Sequence, residues 1–302
     1  MSHQDSSVKS ILFALLANLG IAVTKSVAAV ITGSGAMLAE AIHSYADCGN
    51  QGLLFFGLKA SKKAPDPEHP LGYGKEIYFW SFIVALILFS MGGLFSVYEG
   101  IHKVSSHEGL RSPMIAVAVL GVSIVLEGAS LAGCLTQIKK VRHHQSLWQW
   151  VKNSRQSELV VVLGEDTAAL LGLSFALVAV ILSVVTGNPV FDAVGSIGIG
   201  VLLILISFFL AYKVKSLLIG QSAQDETREE IRRMLVSRPE IEELLNLITL
   251  QLGPQIMVAI KARMRPEVTA EGMVASINLC EAALKERFPD VRWVFFEPDL
   301  SD

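Results

Sequence analysis

Six apolar runs of membrane-crossing length fill the first two thirds of the chain: residues 11–31, 36–58, 79–101, 113–135, 159–185 and 190–212. A helix of about 20 apolar residues spans the hydrocarbon core of a bilayer, so each run predicts a transmembrane helix. The first is too long for a signal-peptide core, has no small-residue cleavage site and leads straight into the second. From about Gln221 the pattern changes. Residues 225–236 have helical periodicity with many charges, and residues 247–252 and 256–264 alternate as strands, with Ile260, Ala262 and Met264 opposite Lys261, Arg263 and Arg265. Gly253-Pro254 marks the connection between them. Residues 269–288 read as a helix capped by Thr269, with Val274, Ile277, Leu284 and Phe288 on one face, and residues 291–297 as a last strand. The expected fold is an all-α six-span membrane bundle (1–215) followed by a cytoplasmic α+β domain of αββαβ, ferredoxin-like pattern (216–302). That domain is small enough to favour pairing with a copy of itself.

Composition agrees: 52% of residues are hydrophobic and the mean hydropathy is +0.50. Basic residues set the orientation. Lys9, Lys59, Lys62, Lys63, Lys75, Lys139, Lys140, Arg142, Lys152, Arg155, Lys213 and Lys215 collect on one side, against Lys103 and Arg111 on the other. Both termini are therefore expected to be cytoplasmic. The net charge of −3 averages two unlike parts, and no basic cluster interleaved with aromatics suggests nucleic acid. Cys48, Cys134 and Cys280 have no metal-ligand spacing and make no disulfide framework. No phosphate-binding loop is present, so no nucleotide drives the protein.

The second run is the exceptional one. Glu40, His43 and Asp47 share one helical face inside it. Ionisable groups in mid-membrane cost roughly 2.5–3.5 kcal/mol on insertion scales and mark ion or substrate paths. An imidazole one turn from a carboxylate is half of a divalent-metal site; the bland alternative is a buried polar pair bonded to a neighbouring helix. Elsewhere, Lys25 can pair with Asp192 or reach the interface, while Glu99, Glu127, Asn18 and Asn50 suit either helix packing or a part beside the ion path. His69, with Asp66 and Glu68, suggests a loop site or a Pro/Gly-shaped turn. His143 and His144, near Trp148 and Trp150, lie in an interfacial connector.

Several motifs then carry a resemblance that covers nearly the whole chain. They are Asn18 and Lys25 before the Thr32-Gly-Ser-Gly35 turn, His43-Ser-x-x-Asp47, the His69-Pro-Leu-Gly-Tyr-Gly74 segment, and Asn188-Pro-Val-Phe-Asp192 opening the last run. In this order the chain resembles the cation diffusion facilitator family of metal/proton antiporters. Gly164-Glu-Asp-Thr167 and Thr186-Gly-Asn-Pro189 point to the branch similar to the mitochondrial zinc transporter nine. The resemblance implies a transport site of His43 and Asp47 from the second span and Asp166 from the fifth. Val162 stands where that family usually has a further ligand, and Glu165 is the substitute. Neighbours on a helix point about 100° apart, so Glu165 joins as a ligand through local unwinding near Gly164 or acts as a proton carrier.

One imidazole with two or three carboxylates suits Zn2+ first, with Mn2+, Fe2+ and Co2+ also compatible. Cys48 is expected to face elsewhere. Ligands that must lose protons to bind metal couple transport to H+. The expected partners are the transported divalent cation, protons, the lipid bilayer and a second copy of the chain; the expected cofactor is none. The tail contains no histidine, so it reads as a dimer module rather than a metal sensor. A bacterial inner membrane is favoured, since no Arg-rich targeting segment precedes the first run. The rival readings are a non-transporting membrane scaffold and an intramembrane metalloenzyme, the latter without an H-E-x-x-H or G-x-S-x-G element.

Overall fold

The computed structural model describes residues 18–106, 112–142, 145–266 and 269–301. The earlier part of the first run, together with Lys9, Arg111, His143 and His144, lies outside the described residues. The chain forms two compact units.

The first unit comprises residues 1–56, 80–144 and 158–213. Its helices are α1 (Asn18–Thr32), α2 (Gly35–Ala60), α3 (Glu76–Ser105), α4 (Pro113–Val141), α6 (Ser157–Thr186) and α7 (Val190–Ile219), some of whose ends belong to the second unit. Four of these, α3, α4, α6 and α7, are long and apolar enough to cross a membrane. The described part of α1 is shorter, and α2 is less apolar because it carries the polar face. Many large apolar side chains point outward, among them Met114, Val125, Leu205 and Phe208. A surface of that kind is stable only against lipid or another apolar partner. The protein is an integral membrane protein, mostly helical, with a small three-stranded sheet.

Lipid is as apolar as leucine, so close packing rather than hydrophobicity must hold the helices together. Glycines supply the close approach. A Cβ on Gly200 of α7 would stand 2.7 Å from the Gly93 carbonyl of α3, and one on Gly100 of α3 would stand 2.8 Å from the Ala193 carbonyl. Along this seam α3 widens into π-helical turns at Leu88–Leu94, a distortion common near functional sites. On α7, a Cβ on Gly195 would overlap the Ala179 Cβ of α6.

The α1–α2 turn is held by one buried carboxylate. Asp192 of α7 accepts from Ser34 Oγ at 2.6 Å and from the Gly35 N–H at 2.8 Å, and its Oδ2 lies 2.9 Å from Lys103 Nζ. The turn needs Gly33 at φ +64°, and a Cβ on Gly35 would stand 2.9 Å from Lys103 Cδ. This corrects the pairing of Lys25 with Asp192. Lys25 lies 3.4 Å from Glu40 and donates to Ser44 Oγ at 2.8 Å, because a neighbour on α2 is within reach while Lys103 already neutralises Asp192.

The second unit comprises residues 57–79, 145–157 and 214–302. Short helix α5 (Leu147–Asn153) begins with a capping box between Ser146 and Gln149, burying Trp150 and leaving Trp148 exposed. Then follow α8 (Asp225–Val236), β1 (Ile241–Leu252), β2 (Gln255–Met264), α9 (Ala270–Arg287) and β3 (Val291–Pro298). The order is the αββαβ expected from the periodicity. Strand order is β1-β2-β3, with β2 antiparallel to β1 and parallel to β3. Leu247, Val258, Ile260, Ile231, Leu235 and Leu284 form the core between sheet and helices. Strand β1 starts six residues earlier than the alternation suggests, since register shifts at Ile241/Glu243 and Leu244/Asn246 break the period of two. Thr269 does cap α9, accepting from the Gly272 N–H at 3.0 Å. Val274, expected on the inner face of α9, is exposed; Ser276, Cys280 and Leu284 take the buried positions.

Within this unit the glycine-rich loop before α3 clasps the β1–β2 turn. A Cβ on Gly74 would stand 2.2 Å from the Leu252 carbonyl, and Gly253 adopts φ +64°. The buried Tyr78 hydroxyl accepts from the Gly253 N–H at 3.0 Å and donates to its carbonyl at 3.3 Å. Tyr78→Phe is expected to destabilise the protein by about 1–3 kcal/mol through the unsatisfied Gly253 groups. Gly74→Ala, which meets backbone rather than a movable side chain, is expected to cost more. Thermal unfolding of the full chain in detergent measures both.

Candidate metal-transport site

Spacing on α2 decides which side chains meet. Glu40, His43, Asp47 and Asn50 follow one another at intervals of three and four, so they form a single stripe. Glu40, His43 and Asn50 are fully buried. His43 Nδ1 lies 3.5 Å from Asp47 Oδ1 without the alignment of a hydrogen bond. Glu40 Oε1, both ring nitrogens of His43, Asp47 Oδ1 and Asn50 Oδ1 are buried without a hydrogen-bond partner among the described residues. Buried polar atoms almost always find partners. Leaving five donor or acceptor atoms on one stripe without them is what a site awaiting a cation looks like.

A cavity opens beside this stripe. Asp47, Ser44 and Gln51 line it from α2, Asn18 from α1, Glu127 and Ser130 from α4, and Val162, Glu165 and Asp166 from α6. Three of the four sequence-predicted ligands, Asp47, Glu165 and Asp166, therefore come together. His43 does not line the cavity; its Nδ1 lies against Asp47, one turn away, and close to Gly92 of the π-helical stretch. Among the described residues no three His, Cys, Asp or Glu side chains converge tightly enough to hold an ion as they stand. Cys48 does not line the cavity either.

The expected unwinding near Gly164 does not occur, for α6 is one continuous helix. Both carboxylates reach the cavity because they approach it from different sides. Glu165 turns toward α2 and accepts from Asn50 Nδ2 at 2.5 Å, while Asp166 turns toward α4, where Ser130 Oγ stands 3.4 Å from its Oδ2. Gly164 serves packing: its Cβ would press on Leu210 of α7 at 2.9 Å. Glu127 is a cavity residue whose place the sequence left open. Its mid-helix position in an apolar span was the available signal, but which way it faces depends on the neighbours of α4.

With this arrangement described, comparison with known proteins becomes informative. Residues 11–219 match a family profile described as the cation efflux transmembrane domain. The chain belongs to the cation diffusion facilitator family. It is 35% identical over 259 residues to the mitochondrial proton-coupled zinc antiporter SLC30A9 of Mus musculus, covering 85% of this chain and 45% of that protein. Metal tolerance protein C4 of Arabidopsis thaliana is 29% identical over 259 residues, 85% of this chain and 56% of the relative. The magnetosome protein MamB of Paramagnetospirillum magneticum is 24% identical over 289 residues, 96% of this chain and 93% of the relative. The chain thus spans about half the length of its animal and plant relatives. The cation diffusion facilitators are transporters of cations, not enzymes.

The loop cluster around His69 is occupied by its own partners. Asp66 accepts from Tyr73 Oη at 2.6 Å, from the His69 N–H at 2.8 Å and from Lys63 Nζ at 3.1 Å. The Tyr73 hydroxyl foremost, then the His69 N–H and the Lys63 ammonium, hold the Asp66 carboxyl far below its ordinary range. The geometry favours the turn over a metal site. A carboxyl held low when folded stabilises above its unfolded value of about 3.9 and loses that contribution as pH falls through the folded value. Protection of Lys62 and Lys63 from trypsin is expected to be strong at pH 8 in the wild type and to drop in Asp66→Asn. The hydrogen-exchange protection factors of residues 62–75, corrected for the intrinsic pH dependence of exchange, are expected to hold level from pH 8 to pH 5.

Proposed function

We propose that this cation diffusion facilitator exports a divalent cation, Zn2+ first, in exchange for protons, through His43, Asp47, Asp166 and Glu165. The observation that carries the reading is the intramembrane cavity shared by Asp47 of α2 and Glu165 and Asp166 of α6, with the unpartnered His43 imidazole against Asp47. Relatives bearing the name proton-coupled zinc antiporter support the choice of ion and of coupling.

The chemistry follows from the donors. Carboxylates bind a cation when ionised and an imidazole binds when neutral, so any ligand that is protonated gives up its proton before it takes up metal. Around this cavity negative charge is otherwise poorly compensated: Lys25 is engaged with Glu40, and Lys103 with Asp192. Either a divalent cation or protons must neutralise the carboxylates in so apolar a setting. The two states exclude each other, and that exclusion is the coupling. Asn50 holds Glu165 toward α2, so the cation has donors on both sides of the cavity. Alternate opening of the cavity to the two sides turns exclusion into exchange.

The remainder of the reading concerns assembly and place. The bundle has six spans, α1 and α2 included, as residues 1–215, with both termini cytoplasmic and a domain of residues 216–302 that pairs with its copy. An open sheet face supports the homodimer. Ile248, Ala259 and Phe295 lie in one row across the strands, and Ile248 and Phe295 are more than half exposed. We place the protein in a bacterial inner membrane: the magnetosome protein MamB of Paramagnetospirillum magneticum matches 96% of this chain and 93% of its own length, while the more similar SLC30A9 relatives are named mitochondrial.

Asp47→Ala in sealed proteoliposomes is expected to lose Zn2+ flux while the protein stays folded and inserted; unchanged flux would remove the transport site. An imposed pH gradient is expected to change Zn2+ flux in the wild type, with protons moving the opposite way. Flux indifferent to the gradient at fixed membrane potential would make the protein a uniporter.

A further inference from the structure

We propose that Glu127 of α4 supplies the donor that α6 lacks at Val162, so that carboxylates from three helices gather the transported cation. The proposal rests on the transport reading above and assigns to α4 a part in it.

Val162, four residues before Asp166, lines the cavity and offers it only carbon. Glu127 lines the same cavity. It stands near the middle of the apolar helix Pro113–Val141 and makes no hydrogen bond or ion pair among the described residues. A carboxylate there without a counter-ion costs roughly 2.5–3.5 kcal/mol on insertion scales, and such groups persist where they serve a path. Packing does not explain it, since α4 is the least buried of the four long apolar helices. The neighbouring donors are also not closed among themselves. Asp47 Oδ1 is buried without a partner, and the His43 side chain beside it is 1% exposed with both nitrogens unpartnered. Ser130, one turn from Glu127, already reaches Asp166 across the α4–α6 gap. Glu127 therefore lines the cavity from α4, one turn from the residue that reaches Asp166, and α4 supplies the donor that Val162 does not.

Replacing an α6 donor by a carboxylate hardens the set. Oxygen donors suit Mn2+, whereas imidazole suits Zn2+. Glu127 then sets how well the site accepts a harder cation, and its loss shifts preference toward Zn2+.

Titration calorimetry on the purified full chain at one pH, with Zn2+ alone and with Mn2+ alone, tests this. Loss of even a partner that only orients a metal ligand typically costs about 10–100-fold in affinity, which sets the lower bound for loss of a ligand. Glu127→Gln, which keeps size and shape, is expected to weaken Mn2+ by at least that much and Zn2+ distinctly less. Glu127→Asp is expected to fall between it and the wild type. Val162→Asp in the Glu127→Gln background is expected to restore Mn2+ binding by returning the donor to α6. If Glu127→Gln leaves both affinities unchanged while Asp47→Asn abolishes them, the proposal is wrong and the transport site stands without Glu127. An unchanged Zn2+ to Mn2+ ratio with a lowered melting temperature would make Glu127 a packing residue and also overturn it. Undiminished binding in Asp47→Asn would remove the site itself, and Glu127's part with it.

Discussion

Helix α2 must carry Glu40, His43, Asp47 and Asn50 through a medium that cannot hydrate them, and the arrangement around it follows from that constraint. Each group is answered by a different neighbour. Lys25 of α1 stands against Glu40, and a glycine at 172 of α6 leaves room for the Glu40 carboxylate, whose Oε1 would lie 2.5 Å from a Cβ there. Asn50 donates to Glu165. His43 and Asp47 are left incompletely answered. An unsatisfied buried polar atom costs about 1–3 kcal/mol, so the incompleteness is maintained against stability, and a cation that binds there would recover the difference.

The same constraint explains why the bundle is rich in glycine where α3, α6 and α7 touch. Without hydration to drive helices together, contact distance is what matters. Gly93, Gly100, Gly195 and Gly200 bring backbones close enough for dispersion and for carbonyl contacts to hold them. At the α1–α2 turn the solution is electrostatic instead: one carboxylate, Asp192, takes a hydroxyl, a backbone N–H and an ammonium at once. A buried ion pair is hard to form but harder to break, since removing one partner strands the other. Such a joint holds its helices in one register.

Proton coupling needs no separate device in this reading. Carboxylates crowded in a small cavity inside an apolar bundle cannot all remain ionised and empty, so cation and protons compete for one set of oxygens. The αββαβ unit meets ordinary soluble rules, with a core of Leu247, Val258, Ile260 and Leu284 between sheet and helices. Its loop clasp uses a backbone approach that only glycine permits at Gly74 and Gly253.

The chain's own pattern determined much of this. Period and run length marked the long helices, the strand–strand–helix–strand order of the tail and the Thr269 cap, because these depend on residues within a few positions of one another. The stripe on α2 was equally legible, since helical spacing alone aligns Glu40, His43 and Asp47. Register shifts hid the start of β1, and alternation could not show that Val274 faces out. Only the tertiary structure decided that Lys25 meets Glu40 and Lys103 meets Asp192, for a buried charge selects whichever opposite charge packing brings within reach. It also decided that Glu165 and Asp166 both reach the cavity from a continuous helix and that Glu127 joins them. Facing across a bundle is set by the rotation of whole helices against one another, and no spacing along one helix encodes the rotation of its neighbour.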